Sequence, residues 1–291
     1  WPGCDHMYES LKKLDFFVHA DLFMTDTCKL ADIVLPACTS FERSELKFFM
    51  EDFVMWTDPV IKPLWESRSD ADIVFELAKR IAPDDKQMQE GYEANIDWIL
   101  KPTGLTIDKL RKHPAGYRVP GIKKPPYRKY AKAGFPTPSG KMEYTSSIMA
   151  EAGFDALPTY KEPELSPVST PKLAQKFPFI LTTGARLPQY IHSRTFRLPW
   201  IKSLRPDPML DINPKDAAAK NIAQGDPVEL STPRNAIKVK ANLTEVVPVG
   251  VISIYHGYRT PEINTLFEPD YLDPVSGFPG FKSLLCQVKK L

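Results

Sequence analysis

The sequence predicts an α/β fold in which part of a parallel sheet is followed by a small β-barrel. Three observations predict it. Two short apolar runs bracket a helical-turn signal near the start, the pattern becomes strand-rich after Phe177, and a proline-dense stretch separates the two regimes. A chain of 291 residues exceeds what one core comfortably fills, because single cores stop growing at about 250–300 residues, so two domains are expected.

Taken in order, residues 15–20 (DFFVHA) and 32–37 (DIVLPA) read as buried strands, the second ended by Pro36. A helical turn over residues 25–30 joins them into a tight βαβ unit. Ser69 then caps a helix with Asp70 and Asp72 in its first turn. Ile73, Val74, Leu77, Ala78 and Ile81 form one apolar stripe, Pro83 follows, and the helix should cover a sheet face. Residues 101–171 carry prolines from Pro102 to Pro171 with only short helical patterns between them, which reads as a wrapping segment and linker. The expected domains are therefore 1–165 and 170–291, with the boundary at 158–171.

Beyond it, residues 179–183, 228–231, 237–243 and 250–255 are short β-favouring runs bounded by Gly, Pro or Asn. One helix interrupts them. Asn213 is placed as its N-cap, Pro214 at its first position, Asp216 in its first turn, and Asn221 as a left-handed stop. Strands around one short helix predict a small barrel.

Composition excludes several classes. The 38 basic and 36 acidic side chains nearly cancel, to a net charge of +2, so nucleic acid is not expected as the main partner. The longest apolar stretch, residues 246–255, is too short to span a bilayer and contains Pro248 and Gly250. Cys4, Cys28, Cys38 and Cys286 lie singly, without a Cys-x-x-Cys pair, and the histidines are scattered; no self-contained metal site is expected. The chain opens on Trp1 with no leader pattern, which reads as a fragment or processed product of undetermined compartment.

Candidate binding residues cluster at strand ends. Asp21 lies just past the first strand, where open parallel sheets bind ligands, and a carboxylate there matches the N–H edge of a guanine. Thr39, Ser40, Glu42 and Arg43 follow the second strand at the same edge. Residues 182–186 (TTGAR) place Thr183, Gly184 and Arg186 in a loop suited to a phosphate or a heterocycle. His192, Ser193, Arg194 and Arg197 crowd the next loop, and His256-Gly257-Tyr258 ends the most apolar strand. No nucleophile elbow, P-loop, dinucleotide fingerprint or carboxylate dyad is present, so the residues describe a ligand-holding chain without its own catalytic machinery.

Residues 21–27 (DLFMTDT) with 31–36 (ADIVLP), 137–143 (TPSGKME), 182–186, His192-Ser193, 206–208 (PDP), 212–214 (INP) with Asp216-Ala217, Gly225-Asp226 and 273–277 form an ordered series. In order and spacing this series resembles the C-terminal part of molybdopterin oxidoreductases of the dimethyl sulfoxide reductase superfamily. The resemblance implies a Rossmann-like sheet domain followed by a double-psi β-barrel, and a bis-molybdopterin guanine dinucleotide carrying molybdenum or tungsten. On that reading Asp21 pairs with a guanine. Thr183, Gly184, Arg186, His192 and Ser193 line a pterin and its phosphates, and His256, Asn264 and Lys282 approach the cofactor from late loops. The 182–186 loop with Ala185, the His-Gly-Tyr turn and the closing residues 285–289 look closest to the subgroup of acetylene hydratase, pyrogallol transhydroxylase and sulfur-compound reductases, which spans redox and non-redox reactions.

The same resemblance assigns the metal-ligating residue and the iron–sulfur cysteines to upstream domains of the polypeptide. It implies those domains, an iron–sulfur electron-transfer subunit and a small-molecule substrate as partners. Turnover is not expected of this chain alone. The alternative is a non-catalytic scaffold or binding module of the same superfamily.

Overall fold

The computed structural model describes residues 2–49, 52–122, 126–183 and 186–291. The chain forms two compact units, Leu11–Thr145 and a second made of Trp1–Ser10 with Ser146–Leu291. The division at residues 145 and 146 lies upstream of the 158–171 stretch, which belongs wholly to the second unit.

In the first unit, β1 (Val18–Asp21) and β2 (Ile33–Pro36) pair in parallel, with Val18 opposite Ile33 and Asp21 opposite Pro36. The single helical turn Cys28–Leu30 lies between them. This is the tight parallel unit the sequence predicts, with one correction. The strands are not buried: Val18 is 42% and Ile33 45% exposed. Each strand pairs only with the other among the described residues, so apolar side chains that β propensity selects have no layer over them within this unit.

The helix Asp70–Ile81 forms as read, with the Ser69 side chain accepting from the Asp72 N–H and both acids in the first turn. Its expected role is corrected as well. None of its residues is buried, and Val74, Leu77 and Ile81 stand 61%, 50% and 80% exposed, so the stripe does not cover a sheet here.

The core of this unit lies elsewhere. β3 (Glu45–Phe49), β4 (Phe53–Thr57) and β5 (Tyr117–Arg118) make an antiparallel sheet. Val54 and Trp56 on β4 pack with Ile96, Leu100, Leu105, Ile107, Leu110 and Val119. Part of the stretch read as wrapping segment therefore supplies core. The prolines mask short-range apolar patterning there, while nonlocal packing still buries Leu105, Ile107 and Leu110.

The second unit contains a closed six-stranded barrel. Its strands are β6 (Phe179–Thr182), β7 (Met209–Ile212), β8 (Pro227–Ser231), β9 (Ala236–Leu243), β10 (Val251–Ile254) and β11 (Leu284–Lys290). The order around the barrel is β10-β6-β11-β8-β9-β7, which leaves no free edge. Alternation with period two points Leu181, Leu210, Ile212, Leu230, Ile252 and Ile254 into the interior, all fully buried. Each such side chain contributes about 1.5–3 kcal/mol through burial. The helix Pro214–Ala219 starts at Asn213, whose side chain accepts from Lys215 N–H, and Asn221 adopts φ +55° as the predicted stop.

Candidate functional site

The parallel pairing of β6 and β10 makes a site at one end of the barrel. Because Val251 lies opposite Ile180 and Ser253 opposite Thr182, both strands deliver their C-terminal loops to the same end, and Arg186 bridges His256 in parallel just beyond. Predicted loop residues far apart in sequence thereby meet.

Arg186 Nη1 lies 2.7 Å from His192 Nε2, His192 Nδ1 lies 2.8 Å from His256 Nε2, and His256 Nδ1 lies 3.3 Å from the Thr183 carbonyl oxygen. The proton positions follow by elimination. A guanidinium only donates, so His192 Nε2 accepts and its proton sits on Nδ1; that proton goes to His256 Nε2, which leaves His256 Nδ1–H to donate to Thr183. The chain of bonds needs both imidazoles neutral. The two rings stack with centroids 5.0 Å apart. Desolvation, then the positive charge of Arg186, then His256, hold the His192 pKa below the usual histidine range.

The backbone enforces this arrangement. Ile191 and His192 both occupy the left-handed region, at φ +44° and +66°. Opposite them Gly257 has φ +106°, and a Cβ there would fall 1.9 Å from the His192 carbonyl oxygen, so only glycine permits the approach. Behind the polar cluster, Leu187, Tyr190 and Tyr258 form a small apolar core, and both tyrosine hydroxyls donate to the Arg205 carbonyl, at 2.6 and 3.1 Å. Burial raises the Tyr258 pKa, which keeps its hydroxyl a donor.

Of the predicted site residues, Arg186, His192 and His256 are brought together. Thr183 is adjacent but buried, and its N–H and hydroxyl both donate to the Phe281 carbonyl, so it secures the loop. Ser193 and Lys282 are exposed. The Asn264 N–H and side-chain amide both donate to Glu262. Gly184 and Ala185 lie outside the described residues. Asp21 belongs to the other unit, where its Oδ1 accepts from Phe23 N–H at 3.1 Å and its Oδ2 lies 3.6 Å from His19 Nε2.

The edge after β2 is internally satisfied. The Glu42 carboxylate accepts from the Thr39 hydroxyl and N–H, Leu64 N–H and the Ser67 hydroxyl, and Arg43 pairs with Glu45. These bonds, the Thr39 hydroxyl foremost, pull the Glu42 pKa down to about 2. What sequence reading missed is the neighbourhood of Asp21: His19, Asp21 and Cys28 place one ligand-type atom each within 4.8 Å of one another. The i, i+2 spacing of His19 and Asp21 on a strand was a usable signal; nothing local marks Cys28.

Comparison with known proteins places these loops in context. Residues 4–80 match the family described as Molybdopterin oxidoreductase, and residues 179–285 match the Molydopterin dinucleotide binding domain. Acetylene hydratase of Syntrophotalea acetylenica is 30% identical over 87% of this chain and 34% of its own length. The dimethyl sulfoxide/trimethylamine N-oxide reductase of Rhodobacter capsulatus is 28% identical over 92% of this chain and 35% of its own length. The solved acetylene hydratase from Pelobacter acetylenicus superimposes with a TM-score of 0.87 at 27% identity, over all of this chain and 42% of that one. The chain thus spans well under half the length of these relatives. No helix among the described residues is long and apolar enough to cross a membrane.

Proposed function

From a chain that belongs to the molybdopterin oxidoreductases, with homologues in the dimethyl sulfoxide reductase superfamily, we infer the dinucleotide-holding part of a catalytic subunit that uses a bis-molybdopterin guanine dinucleotide with molybdenum or tungsten. The observation that carries this reading is the Arg186–His192–His256 chain at the barrel end, inside the matched dinucleotide-binding segment.

The donor chemistry fits such a group. Arg186 spends one N–H on His192, and a guanidinium has five, so it retains capacity for a phosphate or a pterin oxygen. His192 and His256 spend all four ring nitrogens on this chain of bonds, so they hold Arg186 in place and leave its free N–H groups to meet the ligand. Asp21 presents a carboxylate at the C-terminal end of β1, where a guanine N–H edge finds two acceptors. When bound, the cofactor supplies two-electron or Lewis-acid chemistry at its metal. This chain's residues hold and orient the organic part. In the whole enzyme, upstream domains of the same polypeptide supply the metal ligand, and an iron–sulfur subunit exchanges electrons with it.

Calorimetric titration of this chain with GDP and with released molybdopterin guanine dinucleotide tests the reading. Binding weakened by Asp21→Ala and, for the intact cofactor, by Arg186→Ala supports it. A folded chain that binds neither ligand overturns the assignment for these residues.

A further inference from the structure

We propose that His19, Asp21 and Cys28 form a site for a thiophilic divalent cation of the zinc class. The site goes beyond the cofactor reading, and shares only Asp21 with it.

Local structure builds the triad. On β1, residues alternate between two faces, and His19 and Asp21, two apart, both lie on the half-buried one. Their ligand atoms are 3.6 Å apart, His19 Nε2 to Asp21 Oδ2. The chain then turns back through Cys28–Leu30, which brings the Cys28 sulfur to the same place, all three ligand atoms lying within 4.8 Å of one another. In a tetrahedral zinc site, bonds of about 2.0–2.3 Å set neighbouring donor atoms roughly 3.3–3.7 Å apart. The His–Asp separation already matches; Cys28 is buried, so closing on its sulfur needs a shift of about 1 Å from the partly exposed His19 and Asp21 side chains.

Neighbouring groups already hold the ligand atoms in orientation. Asp21 Oδ1 is held by Phe23 N–H, which leaves Oδ2 for a cation. The Thr25 hydroxyl lies 3.1 Å from the Cys28 sulfur as donor, and accepts from Cys28 N–H. Such contacts fix ligand orientation. Cys28 Sγ–H meets the Phe23 carbonyl at 3.4 Å. On binding, the S–H bond breaks, a sulfur–metal bond forms, and the proton passes to solvent; thiolate and carboxylate then neutralise the dication. A thiolate, an imidazole and a carboxylate select zinc-class ions over calcium or magnesium, and three protein ligands leave a fourth position open.

A guanine that takes both Asp21 oxygens competes with a cation that takes one. Cation and dinucleotide therefore exclude each other at β1.

The test uses the full chain of 291 residues, titrated with cobalt(II) as a spectroscopic stand-in and with zinc by competition. The expected result is a single ion with a thiolate-to-cobalt charge-transfer band. Cys28→Ser removes the band, and His19→Ala weakens binding by more than about 100-fold, since losing outer-shell partners alone costs about 10–100-fold. Cys4→Ser leaves both unchanged. His19→Ala, at a partly exposed position, keeps the test interpretable should Cys28→Ser unfold. A wild-type chain with no band, or a band that survives Cys28→Ser, overturns the proposal. GDP binding that persists in His19→Ala separates loss of the cation site from failure of the cofactor reading.

Discussion

At the scale of single residues, His192 and Glu42 make opposite use of their surroundings. His192 accepts from Arg186 and donates to His256, which requires its neutral form, and its lowered pKa agrees. A base whose folded pKa lies below its unfolded value of about 6.5 contributes stability above that value, lost as pH falls through the folded pKa. Nitrogen-detected NMR should find His192 as the Nδ1–H tautomer, titrating below an ordinary histidine. Arg186→Met should raise that midpoint by removing the neighbouring cation. A midpoint unchanged by the substitution would contradict the bond chain.

Glu42 is a carboxylate saturated with donors, and only 4% of the residue is exposed. Its contribution is present above the unfolded value of 4.5 and lost as pH falls toward about 2. Glu42→Gln should lower the melting temperature near neutral pH by several degrees, because an amide N–H₂ would face donors. Calorimetry at neutral and acid pH should show the difference from wild type shrink in acid. A variant as stable as wild type at neutral pH would contradict this role.

At the scale of elements, barrel stability rests on strands whose inward residues have no exposure. Ile252, on β10 between β6 and β7, is one of these. Ile252→Ala should cost about 2–5 kcal/mol in denaturant unfolding. Its effect should reach the site as well: His256 follows β10 by two residues, so the His192–His256 ring pair should lose order in the same variant. A loss of less than about 1 kcal/mol would mean that the barrel core collapses around the cavity.

At the scale of the whole molecule, exposed apolar side chains sit where cores are expected. Val74 and Leu77 on the helix Asp70–Ile81 contribute no buried contact to their own unit. Val74→Glu should therefore change stability by no more than about 0.5 kcal/mol. It should also reduce binding of a hydrophobic dye, because it breaks an apolar stripe. A large loss of stability in thermal melts would show that the stripe is packed. Related proteins are more than twice as long as the stretch this chain matches, and Val74 and Leu77 lie in the segment matched to Molybdopterin oxidoreductase.

The sequence by itself determined what depends on neighbours along the chain. The Ser69 and Asn213 caps, the Asn221 stop, the β-favouring runs that form β8 and β9 and the ordered family motifs are local, because side-chain–backbone bonds and strand propensity act over a few residues. Tertiary structure decided what depends on pairing across long separations. Parallel pairing of β6 with β10 joins Arg186 and His192 to His256, and the turn after β1 carries Cys28 to His19 and Asp21. It also decided burial: Leu105 and Leu110 are core within a proline-rich stretch, while Val18 and Ile33 are exposed despite their apolar runs. Hydrophobicity states what a side chain gains if covered; only the fold determines whether anything covers it.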